Sequence, residues 1–203
     1  MAAAQAVHPF PTVLSEEEYI DLEKKSGAKY EFFGGELFAL PSPGLNHRIV
    51  TGNLSRHLGR LLKGGFNVGS ADLRVKVEAT GLLTYPDVFA LAGAMEMVEP
   101  DSLVNPTLIA EVMSPGTELY DRTVKFEHYR QIKSLTTFLL VSEDVPRIEQ
   151  FSRHNEMEWR YTWACGPHDI LPVRSLGITL NLAEIYAGVE FADATEFERP
   201  FRS

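Results

Sequence analysis

The order of apolar and polar positions divides the chain into recognisable elements. Ser15 precedes an apolar-periodic segment and Glu18 follows three positions on, a capping-box pattern that predicts a helix from Glu16 to Lys25, closed at Gly27. Two β-prone runs, Tyr30 to Phe33 and Glu36 to Leu40, flank Gly34-Gly35. Both central positions of a type I′ turn need positive φ, so this segment reads as a hairpin. Ser42-Pro43-Gly44 then breaks the chain. Val50, Leu54, Leu58, Leu61 and Leu62 recur at helical spacing and predict the longest helix, Asn46 to Lys63, with Arg48, Arg56, Arg60 and Lys63 on its opposite side.

From Asp72 to Glu78 the alternation is strict, with Leu73, Val75 and Val77 turned inward, as in a half-buried strand. Tyr85 to Ala92, Thr107 to Val112 and Thr136 to Ser142 are more continuously apolar, the signature of strands covered on both faces. A helix from about Asp121 to Lys133 separates the last two, so the strand, helix and strand form a right-handed crossover and part of the sheet is parallel. Farther on, Met157, Trp159, Tyr161 and Trp163 alternate with Glu158, Arg160 and Thr162, and Arg147 to Phe151 supplies a hairpin partner. Asn181 to Tyr186 reads as a short closing helix and residues 192–203 as a loose tail. The expectation is one α/β domain over residues 1–203 with a mixed sheet: a helical extension over 1–29, a core over about 30–186, and the tail.

Composition narrows the function. A single cysteine, Cys165, excludes an intramolecular disulfide and suits a reducing compartment, so a cytoplasmic protein is expected. The start lacks a basic and apolar leader pattern, and the longest apolar run, Val88 to Met95, is too short to span a bilayer, so no membrane partner is expected. Nineteen Lys and Arg against 28 Asp and Glu leave a net charge of −9, which, evenly spread, would repel a polyanion. The charge is not evenly spread. Leu37 to Ala71 contains no Asp or Glu but carries Arg48, Arg56, Arg60 and Lys63, a local +4 that leaves −13 elsewhere. Arg122 to Lys133 is also basic, with Glu127 its single acid. Two readings follow: ordinary solvated helix faces, or a positive face suited to a polyanion.

There is no Walker loop, GxGxxG, GxSxG or HExxH, and the six histidines lack metal-ligand spacing. Three positions nevertheless break local rules. Asp87, directly after Pro86, opens an apolar strand; Glu111 interrupts Thr-Leu-Ile-Ala-Glu-Val-Met; Lys125 shares the apolar side of its helix with Tyr129 and Ile132. A carboxylate buried in such a place costs several kcal/mol unless paired, hydrogen-bonded or bound to a metal. Lys125 either snorkels or pairs with Glu111 or Asp121. Taken together, two acids on adjacent strands and a lysine on the helix above them are the minimum equipment for phosphodiester hydrolysis with Mg²⁺, which takes one or two carboxylates plus water and a phosphate oxygen.

Tyr30-Glu31-Phe32-Phe33-Gly34-Gly35-Glu36, His47-Arg48-Ile49-Val50, Pro86-Asp87-Val88, Glu111-Val112-Met113-Ser114-Pro115 and the run from Asp121 through Lys125 to Tyr129 resemble the Uma2 family of the PD-(D/E)XK, restriction-endonuclease-like superfamily. The resemblance runs from about Tyr30 to Tyr186 and implies a core of α-β-β-β-α-β order with an extra C-terminal hairpin. It implies that Asp87 and Glu111 hold Mg²⁺, or Mn²⁺ in its place, with the Val112 carbonyl. Met113 stands where the superfamily usually has its lysine, and Lys125 matches the family's relocated one. Glu36 matches a further metal-binding acid, with His47 close to the site. The expected activity is that of a Mg²⁺-dependent endonuclease acting on nucleic acid, DNA in the first instance, with His47, Arg48 and Arg122 along the backbone and a homodimer where both strands are cut. A second reading is a nucleic-acid-binding protein that keeps the fold without turnover. A third, a carboxylate-pair glycosidase, is opposed by the inward lysine.

Overall fold

The computed structural model describes residues 13–40, 42–98 and 101–191; residues 1–12 of the expected extension and the tail 192–203 lie outside them. Helix α1 (Glu16–Ser26) carries the full capping box: Ser15 Oγ accepts from the Glu18 N–H at 3.2 Å, and Glu18 Oε2 accepts from the Ser15 N–H at 2.8 Å. Strands β1 (Tyr30–Phe33) and β2 (Glu36–Ala39) pair across Gly34 and Gly35, whose φ angles of 60° and 88° are those the turn demands. Helix α2 (Leu45–Leu61) follows, with Val50, Leu54 and Leu58 fully buried.

Next come β3 (Phe66–Ser70), β4 (Arg74–Val77), β5 (Leu82–Thr84), β6 (Val88–Ala92), β7 (Met97–Val98), β8 (Ser102–Leu103) and β9 (Leu108–Met113). A crossover helix over 118–129 leads to β10 (Thr137–Ser142), then β11 (Arg147–Arg153), β12 (Trp159–Cys165), β13 (Ile170–Val173), β14 (Ile178–Asn181) and a closing turn, Leu182–Ile185. One six-stranded sheet runs β12-β11-β10-β9-β6-β3 and a second runs β2-β1-β5-β4-β8-β7. In the first, β9 and β10 are parallel from Leu108↔Thr137 to Met113↔Ser142, joined by the crossover helix. The succession α2-β3-β6-β9-helix-β10 is thus α-β-β-β-α-β, with β11 and β12 as the added C-terminal hairpin.

The expected single mixed sheet is two sheets, because the apolar stretch before Ala92 is interrupted at Pro86. Proline has no N–H for a ladder and holds the preceding residue extended. The chain therefore leaves β5 in one sheet and enters β6 in the other, with Asp87 at the junction. The pair β13–β14 was also not foreseen; it closes over the core with Leu171, Val173 and Leu180 buried.

The crossover helix contains a π-helical turn, Asp121–Lys125, and stops at Tyr129 rather than Lys133. Past its end, Arg153 donates to the carbonyls of Arg130 (2.8 Å), Ile132 (2.8 Å) and Leu135 (2.7 Å), tying down the turn that follows the helix.

The first sheet is covered on both faces, which explains its continuous apolar strands. Val50, Leu54 and Leu58 of α2 pack on Val88, Ala90, Ala110, Leu139 and Val141. The other face, with Phe89, Ile109, Phe138 and Leu140, packs on Val75, Leu82, Leu103 and Tyr129. Each such side chain contributes roughly 1.5–3 kcal/mol when fully buried. On β12, Trp159 packs edge-on to Phe126, whereas Tyr161 and Trp163 remain about half exposed. Among the described residues no helix is long and apolar enough to cross a membrane.

Candidate active site

Asp87 and Glu111 are brought together by the pairing of β6 with β9, which sets Val88 opposite Ala110. Asp87 Oδ2 accepts from the Val112 N–H at 2.8 Å, and the Asp87 N–H points to Glu111 Oε2 at 3.4 Å. Each acid is therefore held by the backbone of the other's strand. Glu111 is 2% exposed, and its Oε1 accepts from Tyr129 Oη at 2.6 Å and from Lys125 Nζ at 3.3 Å.

Lys125 ends the π-helical turn and is itself buried. Its Nζ lies 2.9 Å from Glu31 Oε1, 3.2 Å from Asp121 Oδ1 and 3.3 Å from Glu111 Oε1. Thr84 Oγ1 donates to Glu31 at 2.7 Å. His47, in the first turn of α2, sets Nε2 3.3 Å from Asp87 Oδ2. These groups meet at a cleft of about 210 Å³ whose walls also include Lys29, Tyr85 and Val112.

The electrostatics register an unmatched charge. With every group ionised, Asp87, Glu111, Glu31 and Asp121 bring four negative charges against Lys125 and a protonated His47, a residual of −2 that is reached in full only above about pH 8, where Glu111 has lost its proton. Burial pushes the Glu111 carboxyl up to about 8, against the pull of Lys125 and with Asp87 and Asp121 adding to the rise. Burial likewise raises Asp121 despite Lys125. For Lys125, burial favours the neutral amine, but Glu111, Glu31 and Asp121 outweigh it and hold the ammonium charged. Burial also lowers His47, yet its hydrogen bond and proximity to Asp87, with Glu143 and the Val112 carbonyl, leave its pKa above the ordinary value.

Among the described residues no group of three or more His, Cys, Asp or Glu side chains is arranged to hold a metal ion. A Mg²⁺ site needs less: one or two carboxylates, with water filling the remaining positions. Asp87 and Glu111 fit that requirement, and Val112, whose backbone lies near the His47 ring, lines the same cleft.

Not every expected residue arrives there. Glu36 is exposed at the turn end of the hairpin, opposite Phe33, on the same face as Glu31 but two residues short of the cluster. Glu31 is the hairpin acid that reaches Lys125. The sequence signal for Glu31, an acid within Tyr-Glu-Phe-Phe, was the same one that singled out Glu111. Arg122 is also elsewhere: it is ion-paired with buried Glu149 and with Glu118, so its charge is already committed. Arg48 is exposed beside the cleft, its Nε donating to the Pro43 carbonyl at 3.2 Å. A shallow groove of about 490 Å³ continues from His47 and Asp87 along α2, over Gly52 and Ser55, with Arg48 and Arg56 on its sides. Arg60 pairs instead with Glu184.

Residues 16–183 match the model of Uma2, described as "Putative restriction endonuclease". The uncharacterized protein slr1290 of Synechocystis sp. is 31% identical over 192 residues, covering 94% of this chain and all of that protein. A second uncharacterized Synechocystis protein, sll1609, is 29% identical over 157 residues, 76% of this chain and 89% of that one. The crystal structure of a "putative nuclease belonging to DUF820" from Anabaena variabilis shares the fold, with a TM-score of 0.67 over 84% of this chain and 96% of that chain at 15% identity. The family match spans most of the chain, including the strands and crossover helix that assemble Asp87, Glu111 and Lys125, and the chain belongs to the Uma2 family.

Proposed function

We propose that the chain is a Mg²⁺-dependent endonuclease, with Mn²⁺ able to substitute, that hydrolyses phosphodiester bonds of nucleic acid, DNA in the first instance. The observation that carries this reading is the convergence of Asp87 and Glu111, with Lys125, Asp121 and His47 beside them, on one cleft open to solvent. Asp87 and Glu111 would hold the cation, with the Val112 carbonyl as a third oxygen donor. When bound, the cation supplies Lewis acidity at a phosphate oxygen and lowers the pKa of its water.

The chain's own groups do the rest. Tyr129 and Lys125 both donate to Glu111 Oε1 and so fix the orientation of that carboxylate. Lys125 brings positive charge to where the attacked phosphorus gathers negative charge; Lys29, also on the cleft wall, is paired with Asp72 at 2.7 Å. Arg48 and Arg56 beside the α2 groove are suited to successive backbone phosphates, a role without sequence preference. The acid-free block from Leu37 to Ala71 thus supplies one wall of the substrate path. Cutting both strands requires two such clefts, for which a symmetric homodimer is the simplest arrangement. The lone cysteine suits the cytoplasm.

Incubation of the chain with supercoiled plasmid tests the proposal. Nicking is expected with Mg²⁺ or Mn²⁺, and D87A and E111A should each abolish it; cleavage that survives both substitutions refutes the assignment. One observation favours the alternative of a fold retained for binding alone. The three protons of Lys125 Nζ already face three carboxylates, leaving none for water. That alternative predicts Mn²⁺ binding and salt-sensitive DNA binding without any nicking.

A further inference from the structure

A second cavity lies away from the cleft and shares no lining residue with it. It occupies about 540 Å³, within the usual range of ligand pockets, between the β11–β12 hairpin and β13. The register places it. Gln150 pairs with Thr162 and Ser152 with Arg160, on the same face of the sheet as buried Ile148 and Ala164, so the cavity begins where the apolar layer under α2 ends. It lies by the first residue of β10, since Ser152 opposes Thr137 and Ser175 Oγ is 2.5 Å from Thr137 Oγ1. The cleft is at the other end of the parallel pair, where Val112 lines it.

The lining is basic in an acidic chain. Arg160, Arg174 and His154 line it with no Asp or Glu among the lining residues; Arg153, also in the lining, turns its guanidinium to the carbonyls of Arg130, Ile132 and Leu135. Arg160 and Arg174 are exposed, and their guanidinium groups make no ion pair or hydrogen bond among the described residues.

A second, independent observation is Gln150, which is 4% exposed and has an Oε1 without a partner. Its Nε2 donates to Thr162 Oγ1 at 3.2 Å and to the Pro172 carbonyl at 3.4 Å. A carbonyl can only accept, which fixes the amide's orientation and leaves Oε1 as a buried, unfilled acceptor of a residue that lines the cavity. A buried acceptor left in this state is costly unless something supplies a donor.

We propose that this cavity is a second ligand site, for a phosphorylated small molecule of nucleotide size that carries an N–H or O–H donor. Arg160 and Arg174 meet its phosphate, and Gln150 Oε1 accepts from its donor. The separation from the cleft, with no lining residue in common, favours a discrete ligand over a continuation of the nucleic-acid path. The site stands whether or not the cleft cleaves DNA.

Calorimetric titration of the full chain with AMP, inorganic phosphate and a short single-stranded oligonucleotide tests this, with melting curves to confirm that each variant is folded. AMP should bind one per chain, and R160A and R174A should each weaken it at least tenfold. Q150M should weaken AMP but not inorganic phosphate, and D87A should change neither. If Q150M fails to fold, the two exposed arginines still decide. No AMP binding at millimolar concentration, or binding untouched by R160A and R174A, overturns the proposal. Inorganic phosphate binding as tightly as AMP makes the cavity a bare anion patch and also overturns it. So does tighter oligonucleotide binding through the same arginines, which would make it part of the nucleic-acid path.

Discussion

Replacing Lys125 by methionine keeps the stem and removes the charge from the centre of three buried carboxylates. Its Nζ sits 2.9, 3.2 and 3.3 Å from Glu31, Asp121 and Glu111, whose side chains are only 3%, 5% and 3% exposed. At an effective dielectric near 20, a charge pair at about 4 Å is worth about 4 kcal/mol, so the three contacts are individually strong. Most of that attraction offsets the desolvation of the lysine and the mutual repulsion of the acids. The measured cost of removing one partner from a buried pair is about 3–5 kcal/mol. For a domain of this size each kcal/mol moves Tm by about 2–4 °C, so K125M should melt about 6–20 °C below the parent at neutral pH. The pH dependence has a definite sign. Without Lys125 the folded-state pKa values of Glu111 and Asp121, already raised, rise further. An acid with a raised folded pKa stabilises fully below its unfolded value and loses that contribution as pH rises through the folded one. The deficit of K125M should therefore be larger at pH 8 than at pH 5, and adding E111Q should restore part of it. Thermal melts by circular dichroism read all three. A K125M protein melting within about 2 °C of the parent, or one whose deficit is larger at pH 5, would refute the ion-cluster reasoning.

Other outcomes follow from the same geometry. E31Q should cut nicking on the order of 10²-fold while E36A leaves it unchanged, because Glu31 contacts Lys125 and Glu36 faces solvent; equal effects would contradict the assignment. Mn²⁺ affinity, followed by calorimetry, should climb as pH rises to about 8 and then level off, since Glu111 must lose its proton to bind. An affinity independent of pH between 6 and 9 argues against Glu111 as a ligand. Burial pushes Glu149 up, but Arg122 and Arg147 outweigh it and hold its carboxyl below the ordinary range, a contribution present above that range and lost as pH falls through the lowered value. E149Q should therefore cost about 1–3 kcal/mol in chemical denaturation at pH 7 and much less in strong acid; a deficit that persists unchanged at about pH 3 contradicts this.

Local signals in the chain were enough for the elements whose causes are local. The Ser15 cap, the Gly34-Gly35 turn and the apolar stripe of α2 each depend on a few neighbouring residues, and each stands where the pattern puts it. Asp87, Glu111 and Lys125 were legible for a different reason: each is a charge where its own element wants an apolar residue, and such exceptions converge. The remainder is tertiary. Glu31 and Glu36 share one face of one hairpin, and only the position of the crossover helix decides which of them is covered. Arg122 looked free because its partner, Glu149, is 27 residues away on β11. The division into two sheets turns on what Pro86 does to a run of apolar residues that, by hydropathy alone, is one strand. The π-helical turn carrying Lys125 has no sequence signature at all, yet it holds the residue on which the cluster depends.

The most direct test of the metal-dependent cleft is a crystal grown or soaked with Mn²⁺ and measured for anomalous scattering. One strong peak between the carboxylates of Asp87 and Glu111, absent in the E111Q protein, is the result expected. A cleft without a peak at saturating Mn²⁺, or a peak held by other residues, would contradict the account.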